Sequence, residues 1–299
     1  MELNTLEVTE QPEGFRFTSI RELVNQTLNE TFGSLKDTPG VSSGFKKLDK
    51  ALGGFQKGKM YTVAVKPGMG KTAFLLSLAN NMAVKNDHTV AIFSSERSNV
   101  KMTRRLIESE TGMSVQKLQS GDLRPSEKDH MLSVLSNIAK AKIFIDDTQG
   151  LSIGTFAKNL QYFCKLEQPD LVIIDYLELL HSGQQGEQDM PSRYAQMMEN
   201  IKGIASNLQV PVLLFSQSAG NINGGYASGR PPLKVLPDFL NEHSDVLMLL
   251  HRKHVLSGSN GSAGGNPVEL IISMQQHEGE EVVVPLQFIE STAKFTDPV

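Results

Sequence analysis

Val65-Lys66-Pro67-Gly68-Met69-Gly70-Lys71-Thr72 decides the fold through what stands on either side of it. Met60–Val65 is an unbroken apolar run of strand type, and Thr72–Val84 recurs at helical spacing. A loop between strand and helix turns successive backbone N–H groups inward, where they wrap phosphate oxygens. The helix N-terminus adds a favourable dipole. Gly70 permits close backbone approach, Lys71 is placed to reach β- and γ-phosphates, and the Thr72 hydroxyl suits Mg²⁺. Lys66, Pro67, Gly68, Met69, Gly70, Lys71, Thr72 and Ala73 are therefore the expected cradle of a nucleoside triphosphate. One position departs from the usual G-x-x-x-x-G-K-S/T pattern: its leading glycine is Val65 here.

Outward from this loop, apolar runs and helical patterns alternate. The further runs are Val90–Ser94, Lys142–Ile145, Leu171–Asp175, Val210–Phe215, Val246–Leu250, Glu269–Ile272 and Val282–Phe288. Several are continuous Val/Ile/Leu stretches, the mark of central parallel strands buried on both faces. Val100–Glu110 and Ser192–Leu208 are helical between the earlier runs, which predicts a wound α/β fold with a mostly parallel sheet. No long helical pattern follows residue 245, so the sheet is expected to finish in antiparallel strands. Ser218–Gly229 and Ser257–Asn266, rich in Gly, Ser and Asn, read as long loops of the kind that carry function.

Upstream, residues 1–38 form a separate segment before a domain at 39–299. Ser19 with Glu22 fits a capping box, and Ile20, Leu23, Val24, Leu28, Phe32 and Leu35 repeat at helical spacing until Pro39-Gly40. The apolar stripe of this helix must dock, either on its own domain or on a neighbouring subunit.

Composition sets outer limits. The 299 residues carry 29 Lys and Arg against 33 Asp and Glu, a net charge of -4. Contact with nucleic acid must therefore come from a local basic patch. The single cysteine, Cys164, excludes a disulfide framework and any multi-cysteine metal site. Cys164 sits in an apolar helical pattern with Leu160, Phe163 and Leu166 and is expected in the core. No apolar run approaches the roughly 20 residues of a membrane span. Met1-Glu2-Leu3-Asn4 lacks the regions of a signal peptide, so a reducing, cytoplasmic setting without membrane partners is expected.

A metal-bound triphosphate needs a second carboxylate. Leu171-Val172-Ile173-Ile174-Asp175 is an apolar strand ending in Asp, the form of a Walker B strand. Such a strand is expected beside the phosphate-loop strand, with Asp175 holding Mg²⁺ through water. Hydrolysis also needs a group that orients water. Glu96 follows the strand Val90–Ser94, at the sheet end where ligands gather in open α/β folds. The alternative for Glu96 is a surface pair with Arg97. Gln217, after Val210–Phe215, is placed to sense a γ-phosphate or simply to cap a strand. Asp146-Asp147 reads as a strand-end turn, and the seven His show no ligand spacing.

Taken together these segments resemble the ATPase domain of the DnaB family of replicative helicases, built on the RecA-like core. The likeness is carried by Ser43-Gly44-Phe45-Lys46-Lys47-Leu48-Asp49, Gly54-Phe55-Gln56-Lys57-Gly58 and Pro67 through Ala73. It continues in Ala91-Ile92-Phe93-Ser94-Ser95-Glu96, Ile143-Phe144-Ile145-Asp146-Asp147-Thr148 and Ile174-Asp175-Tyr176-Leu177-Glu178-Leu179. Val210-Pro211-Val212 with Ser216-Gln217 completes it, and the resemblance runs from about residue 40 to the end. It implies an ATP-driven homo-hexameric ring that moves on single-stranded DNA during replication, in the cytoplasm of a bacterium or phage-infected cell. Its implied partners are a primase or helicase loader. The helix at 19–35 falls where the family has the linker helix that docks on an adjacent subunit. A compact phage or mobile-element form without the family's N-terminal domain is implied.

Carried over residue by residue, Lys71 and Thr72 serve phosphate and Mg²⁺, Asp175 serves Mg²⁺, Glu96 the catalytic water and Gln217 the γ-phosphate. The loop after Gln217 corresponds to a region facing DNA, where Arg230 and Lys234 suit phosphates and Tyr226 suits stacking on a base. Two segments depart from the family. Its Lys-Gln-Arg-Asn-Gly-like stretch, whose cations reach a neighbour's γ-phosphate, is Ser273-Met274-Gln275-Gln276-His277-Glu278-Gly279 here. Such a finger contributes roughly 10³–10⁵ in rate, or about 4–7 kcal/mol. Arg252, Lys253 and His277 are the candidates to replace it. The family's Arg-Glu-Ser-Gly stretch is Val235-Leu236-Pro237-Asp238 here. The alternative to a motor is therefore an ATP-binding RecA-like partner, loader or regulator with weak turnover.

Overall fold

The computed structural model describes residues 20, 40–182, 189–217, 231–252, 266–274 and 281–298. The chain divides into Met1–Pro39 and Gly40–Val299. The second unit is the one described below; of the helix expected at 19–35 only Ile20 is described, and the loop expected at 218–229 and residues 257–265 of the one expected at 257–266 lie outside the described residues.

In chain order the elements are α1 (Lys46–Leu52), β1 (Met60–Val65), α2 (Lys71–Ala79), β2 (Val90–Ser94), α3 (Asn99–Thr111), α4 (Val115–Ser120) and α5 (Pro125–Lys140). They continue with β3 (Ile143–Asp146), α6 (Ile153–Leu166), β4 (Leu171–Asp175), α7 (Met190–Leu208), β5 (Val212–Ser216) and α8 (Asp238–His243). The chain closes with β6 (Val246–Arg252), β7 (Asn266–Met274), β8 (Glu281–Ile289) and β9 (Lys294–Thr296). The sheet order is β3-β2-β4-β5-β1-β6-β7-β8-β9. Strands from β3 through β6 pair in parallel, and β6 through β9 pair antiparallel. This is the wound sheet with an antiparallel finish that the sequence predicts.

β1, β2, β4 and β5 are buried along their whole length, so their side chains feed two cores with a period of two. Tyr61, Val63 and Val65 join Phe74, Leu75 and Leu78 of α2 and Met102 and Leu106 of α3 on one face. Met60 and Ala64 join Phe156 of α6 and Met198, Ile201 and Ala205 of α7 on the other. Covering helices on both faces leave the carboxyl ends of the parallel strands as the open edge.

Several expectations are corrected. β4 is not beside β1: β5 lies between them, and the approach of Asp175 to the loop is made across it. β5 begins at Val212 because Pro211 has no N–H to give; its carbonyl accepts from Val172 instead (3.0 Å). β6 runs on through His251 and Arg252, a polar pair that ends the apolar run but not the ladder, since Arg252 is still paired with Val268. Asn266, expected in a loop, opens β7. Cys164 is only partly buried and Leu166 is 64% exposed, because α6 covers β3, the sheet's edge strand. α2 gives way at Asn80 to one wider turn, Asn80–Lys85. Among the described residues no helix is long and apolar enough to cross a membrane.

β9 has no counterpart in the sequence reading, since three residues with one apolar side chain carry no period. Tertiary contacts make it. The Phe295 N–H donates to Ser77 Oγ (2.9 Å), and its ring meets Phe74 edge-on at 5.5 Å and Phe288 at 4.8 Å. Phe295→Ala should therefore lower unfolding stability by about 3–5 kcal/mol in denaturant titration, as for other fully buried aromatics. A loss below about 1 kcal/mol would show that β9 is only draped on the domain.

Candidate active site

Register brings the site together. Ala64 stands opposite Ser216, Ser94 opposite Asp175, and Val65 opposite Leu250. The residues just past these ends are the phosphate-loop segment 66–72, Glu96, Tyr176 and Gln217. The loop opens with a turn in which the Met69 N–H donates to the Lys66 carbonyl (3.1 Å). Gly70 caps α2 in a left-handed conformation, φ 100°, and no side chain caps the helix. The first-turn N–H groups thus face the mouth of the loop, as an anion site requires. A Cβ on Gly70 would lie 3.1 Å from the Phe295 ring, so glycine is needed there for space as well as for φ. Met69 is buried, Pro67 and Gly68 are exposed, and Lys66, Gly70 and Ala73 are partly buried.

Lys71 is 7% exposed, and its ammonium is shared. Nζ is 2.5 Å from Asp175 Oδ1, hydrogen-bonds Glu96 Oε2, and lies 3.7 Å from the centre of the Tyr176 ring. Asp175 is almost fully buried, and its Oδ2 accepts from Ser94 Oγ (3.2 Å). Glu96 also faces Arg97 (3.3 Å), so both readings of this residue, site carboxylate and Arg97 partner, describe its two oxygens. Thr72 is buried beside Lys71. Gln217 is placed by a residue the sequence reading passed over. Glu178 Oε1 accepts from the Gln217 N–H (3.0 Å) and from Ser216 Oγ (2.6 Å), tying the ends of β4 and β5.

The donor set fits a bound divalent cation: the Thr72 hydroxyl and the Asp175 carboxylate are hard oxygen donors, while Lys71 and Arg97 balance the two carboxylates in charge. Among the described residues no group of three or more His, Cys, Asp or Glu forms a metal cage. A hydroxyl and one carboxylate, completed by ligand oxygens and water, is the pattern of Mg²⁺ rather than of a soft metal.

Other expectations sort as follows. Lys234 is exposed on the short turn Leu233–Val235. Tyr226 and Arg230 lie outside the described residues, as do Lys253 and His277. Asp146 and Asp147 are turn residues: Asp146 accepts from the Thr148 N–H (2.9 Å) and Asp147 from the Asn99 N–H (3.0 Å). Arg252 is 5% exposed, ion-paired with Glu290 of its own chain.

Burial pushes the Asp175 carboxyl above its ordinary range; the Lys71 ammonium works against that shift and Glu96 adds to it. A carboxyl raised in the folded state favours folding at low pH, and that stability is lost as pH rises through the shifted value. Asp175→Asn should therefore raise the melting temperature of the nucleotide-free protein by a few degrees near about pH 7.5, with the gap closing toward about pH 4. Thermal unfolding at both values checks this; a variant less stable than native near neutrality would contradict it.

Comparison with known proteins gives one answer. The family described as DnaB-like helicase C-terminal domain matches residues 40–297. The chain is 26% identical to the replicative DNA helicase DnaC of Bacillus subtilis, covering 99% of this chain and 65% of the relative. It is 27% identical to the replicative DNA helicase DnaB of Geobacillus stearothermophilus, covering 98% and 64%. The chain thus spans just under two thirds of the length of these relatives. Among solved structures, the ATPase domain of G40P superposes with a TM-score of 0.78 at 26% identity, covering 94% of this chain and 99% of that one. A DnaB-like replicative helicase, solved in a study of its interactions with primase, gives 0.77 at 26% identity over 94% and 67%. With the RecA-like sheet, the phosphate loop and the match across 40–297 in agreement, the chain belongs to the DnaB-like helicase C-terminal domain family.

Proposed function

We propose that this chain is the motor of an ATP-dependent DNA helicase of DnaB type, which hydrolyses ATP at subunit interfaces and moves on single-stranded DNA during replication. The observation that carries the reading is the convergence of Lys71, Glu96 and Asp175 at the carboxyl end of a parallel sheet, beside an uncapped helix N-terminus. In this reading residues 66–73 bind the phosphates. Thr72 and Asp175 hold Mg²⁺, which neutralises charge on the phosphate oxygens. Lys71 exchanges its carboxylate partners for phosphate, and the freed Glu96 orients and deprotonates water. Gln217, held through Glu178, meets the terminal phosphate and passes its presence to the loop at 218–230. There Tyr226 and Arg230, with Lys234 beyond, contact the DNA backbone and bases. Residues 1–38 act as the segment that joins subunits into a hexameric ring, in a bacterial or phage-infected cytoplasm, with a primase or loader as partner.

Steady-state ATP hydrolysis with and without single-stranded DNA tests the reading. The native chain should show turnover that DNA stimulates. Glu96→Gln should lose about 100-fold or more, the usual weight of a general base, while still binding nucleotide. A native chain that binds ATP yet turns it over no faster than Glu96→Gln belongs instead to the second class, a binding partner or regulator. The segment Ser273–Gly279, which lacks the family's cations, favours that outcome.

Assembly is tested separately by size in solution. Deleting residues 1–38 should shift the nucleotide-bound oligomer toward monomer in light scattering. An unchanged size would refute a subunit-joining role for that segment.

A further inference from the structure

Arg252 ends β6, the strand paired to β1 on the side away from β5. Because Val65 is level with Leu250, Arg252 stands two residues past the same line that Pro67 passes. Its Nη1 comes within 3.8 Å of where a Cβ on Gly70 would lie, the spot that Phe295 closes at 3.1 Å. The guanidinium carbon is 3.9 Å from the centre of the Phe288 ring, and Nη2 is ion-paired with Glu290 Oε1. Asn266 Nδ2 donates to the same oxygen (2.8 Å), which fixes the carboxylate. Arg252 Nε is buried and has no hydrogen-bond partner among the described residues.

As a stabilising device this arrangement is poor. A guanidinium at 5% exposure loses most of its hydration, while the Glu290 side chain that balances it is 59% exposed. Buried ion pairs of this kind are often no better for stability than apolar packing. The stack on Phe288 recovers part of the loss. A cation beside the left-handed turn of a phosphate loop has a clearer use, since it adds positive potential where an anion would be held.

We infer that Arg252 is a positioning residue of this chain's own phosphate loop, fixing the Gly70 turn and lending it positive charge, rather than a finger offered to a neighbouring subunit. The inference rests on the nucleotide reading above and adds a side of the site that the motif does not contain. Glu290 and Phe288 orient the guanidinium, and Phe295 completes the wall.

A loop cation and a finger differ in what they sense. The turn at Gly70 is present whether or not a γ-phosphate is bound, so Arg252 should matter equally for ADP and ATP. In Arg252→Met, a near match in bulk, the affinities of the full chain for Mg-ADP and Mg-ATP should fall by the same factor, about tenfold for one lost charge interaction beside an anion. KM should rise by more than kcat falls, and Arg252→Lys should recover part of the binding. Glu290→Gln, which alters an exposed partner and spares the core, should weaken ADP binding by about threefold in the same displacement assay, and it carries the test if Arg252→Met does not fold. A collapse of kcat with ADP affinity intact would overturn the inference in favour of a finger. A lowered melting temperature with both affinities intact would reduce Arg252 to packing. If the native chain bound neither nucleotide, the reading of the site itself would fall; native binding with an equally tight Arg252→Met would sink only this inference.

Discussion

The buried ammonium of Lys71 is the constraint around which the domain is arranged. A lysine at the start of a helix, 7% exposed, cannot stay charged without partners, and Asp175 and Glu96 supply them from two different strand ends. The pairing is possible because Asp175 closes β4 level with Ser94 of β2, two residues before Glu96. Arg97 on the outer oxygen of Glu96 brings the group to two cations against two carboxylates. Burial still raises the Asp175 carboxyl, with the Lys71 ammonium working against the shift.

The loop has two sides, built by different parts of the chain. On one side the ends of β2, β4 and β5 bring acids and amides: Glu96, Asp175 and Gln217, with Glu178 binding β4 to β5. On the other side β6 and the antiparallel strands bring Arg252, Phe288 and Phe295. In the proposed reading the antiparallel extension closes the loop behind Gly70, where a Cβ would lie 3.1 Å from the Phe295 ring and 3.8 Å from Arg252 Nη1.

Tyr176 and Glu178 show how one short segment joins these functions. Tyr176 presents its ring to Lys71, and Glu178, on the turn Leu177–Leu179, holds the end of β5. Lys71 is thus linked to the end of β5 by a ring contact, three residues of chain and the hydrogen bonds of Glu178.

The amino-acid order by itself determined the parallel strands around the loop, the loop's own glycines and lysine, and the two acids at strand ends. Each is a local pattern, an apolar run of fixed length closed by a residue type that chemistry requires, and local patterns survive without knowledge of the fold. It also put Glu96 and Gln217 at the carboxyl ends of parallel strands, since both follow apolar runs. What only the tertiary structure decided is adjacency: that β5 separates β4 from β1, that Tyr176 faces Lys71, that Glu178 ties two strands, and that Arg252 lies beside Gly70 of its own loop. β9 belongs to the same class, a strand of three residues made by contacts with α2 and β8. These depend on register and on packing between distant segments, 218 residues apart for Phe295 and Ser77, and no periodicity along one segment encodes them.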